Sequence, residues 1–208
     1  MGLPDRDDDV ARAGQYFEAE PSVESAPGSV RLELTEGTFR LTTDRGVFSA
    51  ERVDPGTRIL LRDGPAPRPT GTLVDLGCGY GPIAVTLALR CPAARVIAVD
   101  VNQRALDLCS ANATALGVAV ATMRPEEVPE DLTVDEIWSN PPIRIGKGAL
   151  HELLLTWLSR LAPGGRAVLV VQRHLGADSL AGWLMSEGWA VERIGSRKGY
   201  RLLQVTRG

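Results

Sequence analysis

Hydrophobic and polar residues alternate with a period of two in the first part of this chain. Residues 29–34 and 38–43 each place apolar side chains at alternate positions, with Glu36 and Gly37 between them. This period on both sides of a short turn predicts a β-hairpin. A short helix is predicted from Pro55 to about residue 61, followed by a proline-rich linker at residues 63–70.

From residue 72 onward, continuous apolar runs alternate with segments of helical period. Strands are predicted at residues 72–76, 95–100, 118–122, 134–139 and 166–172, and helices at 81–90, 102–116, 147–161 and 176–187. Two further strands, near 190–194 and 200–206, are predicted to form a hairpin. Asn102 is predicted to cap a helix and Gly117 to end it. This order predicts a doubly wound α/β sheet with helices on both faces.

A glycine-rich turn joins the first of these strands to its helix. Asp75 lies at the end of the strand, and the turn that follows contains Gly77, Cys78, Gly79 and Gly81. Glycines let the backbone approach a ligand and expose the amides of the turn to it. The spacing is not the G-x-G-x-x-G of dinucleotide sites, and a carboxylate here would repel a pyrophosphate but attract an amino group or a sulfonium. The turn therefore favours S-adenosylmethionine as the ligand.

The second strand of the sheet also ends in an acid, Asp100, which is followed by Val101. An acid at this position can accept hydrogen bonds from both ribose hydroxyls of a nucleoside. The ligand would then lie across the carboxyl ends of the first two strands, where open α/β sheets bind ligands. This position supports a nucleoside-containing cofactor.

The segment Asn140-Pro141-Pro142 directly follows the apolar strand at residues 134–139. Asn140 offers a side-chain carbonyl, and the residue before each proline offers a backbone carbonyl in extended geometry. These acceptors can bind a planar NH2 group and orient its nitrogen toward a methyl donor roughly 3–3.5 Å away. The alternative is that the two prolines form only a rigid turn that closes the strand.

Five motifs occur in an order that resembles a known family. They are residues 14–17 (GQYF), 46–49 (GVFS), 53–57 (VDPGT), 75–82 (DLGCGYGP) and 140–147 (NPPIRIGK). Over roughly residues 14–206 the chain resembles class I S-adenosylmethionine-dependent methyltransferases. Within these it resembles the methyltransferase small domain family, which contains the ribosomal RNA small-subunit guanine-N2 methyltransferases. The resemblance implies a mostly parallel seven-stranded sheet with an antiparallel last strand, and a β-hairpin as an N-terminal extension.

The resemblance also implies roles for particular residues. Those expected to bind the cofactor are Asp75, Gly77, Cys78, Gly79, Gly81, Asp100, Val101 and Asn140. Those expected to form the catalytic clamp are Asn140, Pro141 and Pro142, and those expected to contact the substrate are Phe48, Ile143, Arg144 and Lys147. Many relatives carry an aromatic residue where this chain has Ile143. Phe48 is therefore a candidate to stack on the target base instead, although core or loop packing is its alternative role.

Composition limits the classes to which the chain can belong. It has 208 residues, 44% of them hydrophobic and 24% charged, and a net charge of −3, so no general basic surface is expected. Three cysteines without metal-type spacing, and only two histidines, predict reduced thiols in a cytoplasmic protein with no metal site and no membrane segment. Three regions are predicted: a disordered lead-in at 1–13, an extension at 14–70 and a methyltransferase core at 71–208.

The predicted function is methylation of an exocyclic amine of RNA, most specifically a guanine of small-subunit ribosomal RNA. The predicted partner is ribosomal RNA or the assembling small ribosomal subunit, bound by a monomer or a homodimer. Three alternatives remain open at this stage. They are methylation of a protein glutamine amide, methylation of an adenine amine, and a non-catalytic module that binds S-adenosylmethionine or RNA.

Overall fold

The computed structural model describes residues 23–208, which form a small two-stranded sheet and a larger seven-stranded sheet flanked by helices. The predicted lead-in at 1–13 and the motif at 14–17 lie outside the described residues. The strands are β1 (Gly28–Leu34), β2 (Gly37–Thr43), β3 (Thr72–Leu76), β4 (Arg95–Val99), β5 (Ala121–Met123), β6 (Val134–Ser139), β7 (Leu161–Gln172), β8 (Trp189–Arg197) and β9 (Tyr200–Arg207). The α-helices are α1 (Pro55–Asp63), α2 (Pro82–Arg90), α3 (Gln103–Ala115), α4 (Lys147–Leu158) and α5 (Ala177–Ser186).

The seven-stranded sheet has the strand order β5-β4-β3-β6-β7-β9-β8. Its neighbouring strands pair in parallel except at β9, which lies antiparallel to both β7 and β8. The predicted doubly wound, mostly parallel seven-stranded sheet with an antiparallel last strand is therefore confirmed. The predicted hairpin at its N-terminal side is present as β1 and β2.

Most element boundaries fall within a few residues of the prediction, and β5 shows why some shift. The strand predicted at 118–122 begins only at Ala121, because the backbone N–H of Val118 still donates to the carbonyl of Ala113 at 3.0 Å. Gly117 lies between them with φ +66°, as expected for the residue that ends a helix. The predicted cap is also present, since the Asn102 side chain accepts from the N–H of Ala105 at 3.3 Å. The helix predicted at 147–161 ends at Leu158 because β7 starts at Leu161.

Two hydrophobic layers cover the two faces of the sheet, as its fully buried parallel strands require. One layer joins the β1–β2 hairpin, α1, α2 and α3, and the other contains α4 and α5. Asn112 on α3 fixes the hairpin to the first layer. Its side chain accepts from the N–H of Thr42 at 2.8 Å and donates to the carbonyls of Thr42 and Tyr80, both at 2.9 Å. The hairpin is thereby tied to the glycine-rich turn that contains Tyr80.

Within residues 23–208, no helix is long and apolar enough to cross a membrane. The same residues contain no group of three or more His, Cys, Asp or Glu side chains arranged to hold a metal ion. All three cysteines are buried free thiols.

Candidate functional site

A small cleft lies at the carboxyl ends of β3 and β6. It is lined by Phe48, Ser49, Asp54, Thr57, Gly77, Cys78, Gly79, Tyr80, Pro82, Ile83 and Asn140. A larger open groove lies at the opposite, amino-terminal edge of the sheet, where Arg160 and Arg207 help to line it. Ligands of open α/β sheets bind at the carboxyl ends of the strands, so the smaller cleft is the candidate site.

The glycines of the turn differ in how much space surrounds them. At Gly81, φ is +90°, and an added Cβ would lie 2.5 Å from the sulfur of Cys109, so only glycine fits between this turn and α3. At Gly79, φ is +54°, and the nearest atom to an added Cβ is a methyl group of Val47 at 4.0 Å. Gly79 therefore leaves open space on the cleft side.

The amides of this turn donate within the protein. The N–H groups of Gly77 and Cys78 both donate to the carbonyl of Val99, at 2.8 and 3.0 Å, and that of Gly79 donates to the Asp100 carboxylate at 2.8 Å. These three N–H groups already have partners within the protein, and the cofactor-binding role predicted for Gly77, Cys78, Gly79 and Gly81 remains a proposal. The three N–H groups bind the turn to the end of β4, because buried N–H groups need partners.

Asp75 lies beneath the turn and does not line the cleft. Its side chain is fully buried, and one carboxyl oxygen accepts from the N–H of Ala84 at 2.9 Å. The other oxygen, Oδ1, has no hydrogen-bond partner among residues 23–208. Burial raises the pKa of Asp75 to about 8, although the Ala84 N–H opposes this shift. Its predicted role toward a cationic ligand remains a proposal.

Asp100 lies beside the turn at the end of β4. It accepts from the N–H of Gly79 at 2.8 Å and from that of Asn102 at 3.0 Å. Burial raises its pKa above the ordinary value. Each carboxyl oxygen retains further acceptor capacity, which the predicted ribose contact would use. The adjacent Val101 is 39% exposed.

Asn140 brings the end of β6 into contact with the N-terminus of α1. Its side-chain amide nitrogen donates to Asp54 Oδ1 at 2.8 Å and to Thr57 Oγ1 at 3.1 Å. The amide oxygen makes no hydrogen bond within residues 23–208, so it remains available as an acceptor. The preceding Ser139 donates its hydroxyl to the carbonyl of Leu76 at 2.7 Å, which fixes the spacing between Asn140 and the glycine-rich turn.

The residues after Asn140 turn away from the cleft. The carbonyl of Pro141 accepts from the N–H of Ile143 at 2.8 Å, and that of Pro142 accepts from Ile145 at 3.2 Å. The half-buried Ile143 packs against the hydrophobic layer of α4 and α5, whereas Arg144 and Lys147 are exposed. Neither these residues nor the two prolines line the cleft. Their predicted roles in catalysis and substrate binding remain proposals.

Phe48 lines the same cleft as Asn140 and is 45% exposed. The structure therefore places an aromatic side chain beside Asn140, although not at the position after the prolines. Tyr80 also lines the cleft. It is 2% exposed, its hydroxyl has no hydrogen-bond partner among residues 23–208, and burial raises its pKa.

Sequence reasoning missed Asp54 and Thr57 as residues of the site. Asp54 stands before Pro-Gly-Thr, which is readable as a helix cap, and Oδ1 indeed accepts from the N–H groups of Gly56 at 2.7 Å and Thr57 at 3.1 Å. Nothing in the local sequence indicates that the same oxygen also binds Asn140, which lies 86 residues away.

The residues present fit S-adenosylmethionine, a ligand with a positive charge and several polar groups. The unpaired Oδ1 of Asp75, the unpaired hydroxyl of Tyr80 and the carboxylates of Asp54 and Asp100 are polar groups at or next to the cleft. An added Cβ at Gly77 meets no atom within 4 Å, so the turn leaves space for a ligand.

Comparison with known proteins gives three findings. The profile of a family described as methyltransferase small domain matches residues 38–204. Uncharacterized protein YbxB of Bacillus subtilis is 31% identical over 194 residues, covering 91% of this chain and 96% of that protein. Ribosomal RNA small subunit methyltransferase C of Shewanella amazonensis is 30% identical over 160 residues, covering 74% of this chain and 46% of that protein.

Among solved structures, the chain is similar to the 16S rRNA N2 G1207 methyltransferase (RsmC) of T. thermophilus in complex with AdoMet and guanosine. The TM-score is 0.74 at 24% identity, covering 90% of this chain and 52% of that one. At this identity the likeness establishes the fold. The chain spans about half the length of these two ribosomal RNA methyltransferases.

Proposed function

The chain belongs to the methyltransferase small domain family, and from this premise we propose that it methylates an exocyclic amine of ribosomal RNA. The family and fold class predicted from the sequence are confirmed, and with them S-adenosylmethionine as the cofactor. The finer proposal is that the target is the N2 amine of a guanine in the small subunit, in a cytoplasmic enzyme.

One observation carries this proposal. The Asn140 amide nitrogen is bound by Asp54 and Thr57, which leaves the amide oxygen as an acceptor in the cleft that the glycine-rich turn also lines. An acceptor at this place suits a substrate that donates N–H groups, such as an exocyclic amine. It does not suit a hydroxyl that must lose its proton to a strong base before methyl transfer.

The proposed chemistry is a direct displacement. When bound, S-adenosylmethionine would supply an electrophilic methyl group, with its sulfur as the leaving group that keeps the electron pair of the C–S bond. Asn140 Oδ1 accepts one N–H of the amine and holds its nitrogen in line with the methyl group. A second N–H contact, to the predicted acceptor at the Pro141 carbonyl, would require the prolines to move toward the cleft when the substrate binds, because they do not line it in this structure. The nitrogen becomes acidic as it gains the methyl group, so its proton leaves afterwards to water.

Phe48 completes the proposed substrate site. A target base must leave its stack to reach a cleft of this kind, and an aromatic side chain recovers part of the lost stacking energy. Phe48 is exposed and lies in the same cleft as Asn140. We propose that it takes over the stacking role for which Ile143 is unsuited.

Two relatives of this chain support ribosomal RNA as the substrate class. One is a small-subunit methyltransferase, and Ribosomal RNA large subunit methyltransferase G of Streptomyces coelicolor is 37% identical over 141 residues, covering 63% of this chain and 37% of that protein. The choice between the two subunits is therefore part of the test.

The first test offers purified protein and methyl-labelled S-adenosylmethionine to naked rRNA, isolated small and large subunits, and total tRNA. Label on small-subunit RNA that is digested to N2-methylguanosine, and that is lost in Asn140→Ala, is the expected result. Label on a large subunit, or label recovered as N6-methyladenosine, would show that the protein is an RNA methyltransferase with a different target. Label on protein would support glutamine methylation, and cofactor binding without transfer to any of these substrates would favour a binding module.

A further inference from the structure

We infer that Asp54 and Thr57 are positioning residues that act through Asn140. They hold its amide so that the oxygen, and not the nitrogen, meets the substrate. This inference rests on the proposed function. The N-terminus of α1 would thereby help to determine which groups of a base bind in the site.

The chemistry of Asp54 fixes the orientation of the amide. A carboxylate accepts hydrogen bonds and donates none, so the Asn140 group that lies 2.8 Å from Asp54 Oδ1 must be the NH2. The reverse orientation would place two acceptor oxygens against each other at that distance. The orientation of the amide therefore follows from charge and hydrogen-bonding capacity.

Thr57 contributes independently of the helix cap. Its side chain is 4% exposed, and the hydrogen bond from Asn140 at 3.1 Å is the one that its hydroxyl makes within residues 23–208. A buried hydroxyl costs free energy unless it is hydrogen-bonded. Its backbone N–H, in contrast, is what Asp54 caps. The hydroxyl of Thr57 thus binds Asn140, whereas its backbone N–H takes part in the helix cap.

Because the amide is held in one orientation, the site favours hydrogen-bond donors of the substrate over acceptors. With its NH2 held by Asp54 and Thr57, Asn140 presents an oxygen that binds an amine and repels the keto oxygen of a base. An Asn140 free to rotate would present either atom, and half of its orientations would set an NH2 against the target NH2. Holding the amide therefore favours the productive pose before the substrate arrives.

Two substitutions separate this role from helix capping. Thr57→Val removes only the hydroxyl and keeps the shape of the side chain, and Thr57→Ser is the matched control that keeps the hydroxyl. Asp54→Ser keeps a good capping residue, but its shorter side chain withdraws from Asn140. We expect Thr57→Val to lower kcat about five- to tenfold and Asp54→Ser roughly 10- to 100-fold, in line with the loss of one neutral and one charged hydrogen bond. In Thr57→Val the Kd for S-adenosylmethionine should stay within about twofold of the wild-type value, because the hydroxyl it removes bonds Asn140.

A spectroscopic measurement tests the anchoring without any methyl transfer. The side-chain ¹H–¹⁵N pair of Asn140 can be identified by its loss in Asn140→Ala. It should exchange slowly with solvent in the wild type, faster in Thr57→Val and Asp54→Ser, and at nearly the wild-type rate in Thr57→Ser.

The outcomes are distinguishable. An unchanged exchange rate in both variants, or equal losses of kcat in Thr57→Ser and Thr57→Val, would overturn the inference. If the wild type transfers no methyl group while the exchange rates change as expected, the anchoring stands and the proposed function fails.

Discussion

At the scale of single residues, Asp75 is a buried carboxyl group, and one of its oxygens has no hydrogen-bond partner among residues 23–208. Its folded pKa of about 8 lies above the unfolded value near 3.8, so the folded state binds the proton more tightly. The stability that this proton provides is complete below pH 4 and is lost as the pH rises toward 8. Asp75→Asn keeps an acceptor for the Ala84 N–H and has no proton to lose.

We therefore expect the free energy of unfolding of the wild type to fall relative to that of Asp75→Asn by up to roughly 1.4 kcal/mol per pH unit between pH 5 and 7.5. Urea unfolding of both proteins without cofactor, at pH 5, 6 and 7.5, measures this difference. A difference that does not change with pH would show that Asp75 titrates at its ordinary pKa.

Phe48 allows a second prediction at this scale. Phe48→Leu should raise KM for the RNA substrate about tenfold, because a stacking contact contributes about 1–3 kcal/mol per base. Phe48→Tyr should retain most of the affinity. The melting temperature of each variant, measured beside KM, separates a lost stacking contact from a loss of folded protein. Equal KM values for the leucine and tyrosine variants would argue that Phe48 only packs the loop.

At the scale of elements, the hairpin β1–β2 depends on one side chain of α3. Asn112→Ala leaves the N–H and carbonyl of Thr42 and the carbonyl of Tyr80 without this partner, and we expect a loss of about 2–3 kcal/mol in the free energy of unfolding. Thr114→Ala, at an exposed position of the same helix, is the control and should cost far less. Chemical denaturation measures both. A similar cost for the two substitutions would mean that the hairpin is held by other contacts.

The secondary-structure elements were also the features that the sequence predicted best. The alternation of apolar strands with helical segments is a local pattern, so β3, β4 and β6 and the helices between them were predictable. The contacts of Asn140 with Asp54 and Thr57 were not, because they depend on how α1 packs against the end of β6. The inward direction of the amides at Gly77 and Cys78 likewise depends on the neighbouring strand, β4, and not on the glycine spacing.

At the scale of the whole molecule, the net charge of −3 means that binding of the proposed RNA substrate depends on where the cations lie. Several exposed cations lie around the β8–β9 turn. The N–H of Arg173 donates to the carbonyl of Gly199 at 2.7 Å, and Lys198 is in the turn itself. Tyr200, the first residue of β9, packs against Gly56, directly beside the Asp54 cap. Cations near this turn are therefore close to the candidate site.

We expect Arg173→Glu with Lys198→Glu to weaken RNA binding and to reduce the slope of log K against log salt by about 0.7 for each lost phosphate contact with a single strand. Arg95→Glu, at the opposite edge of the sheet, is the matched control. Fluorescence anisotropy over a series of salt concentrations measures the slopes. Equal slopes for the double variant and the control would place the RNA elsewhere.

The position of β9 has a consequence for how the chain is synthesised. β9 pairs with β7 on one side and with β8 on the other. Until residues 200–207 have left the ribosome, the edges of β7 and β8 that will pair with β9 are therefore both open. Open edges pair readily with other chains and so promote aggregation. The interval between emergence of β7 and insertion of β9 is thus the period in which a chaperone would protect this protein most.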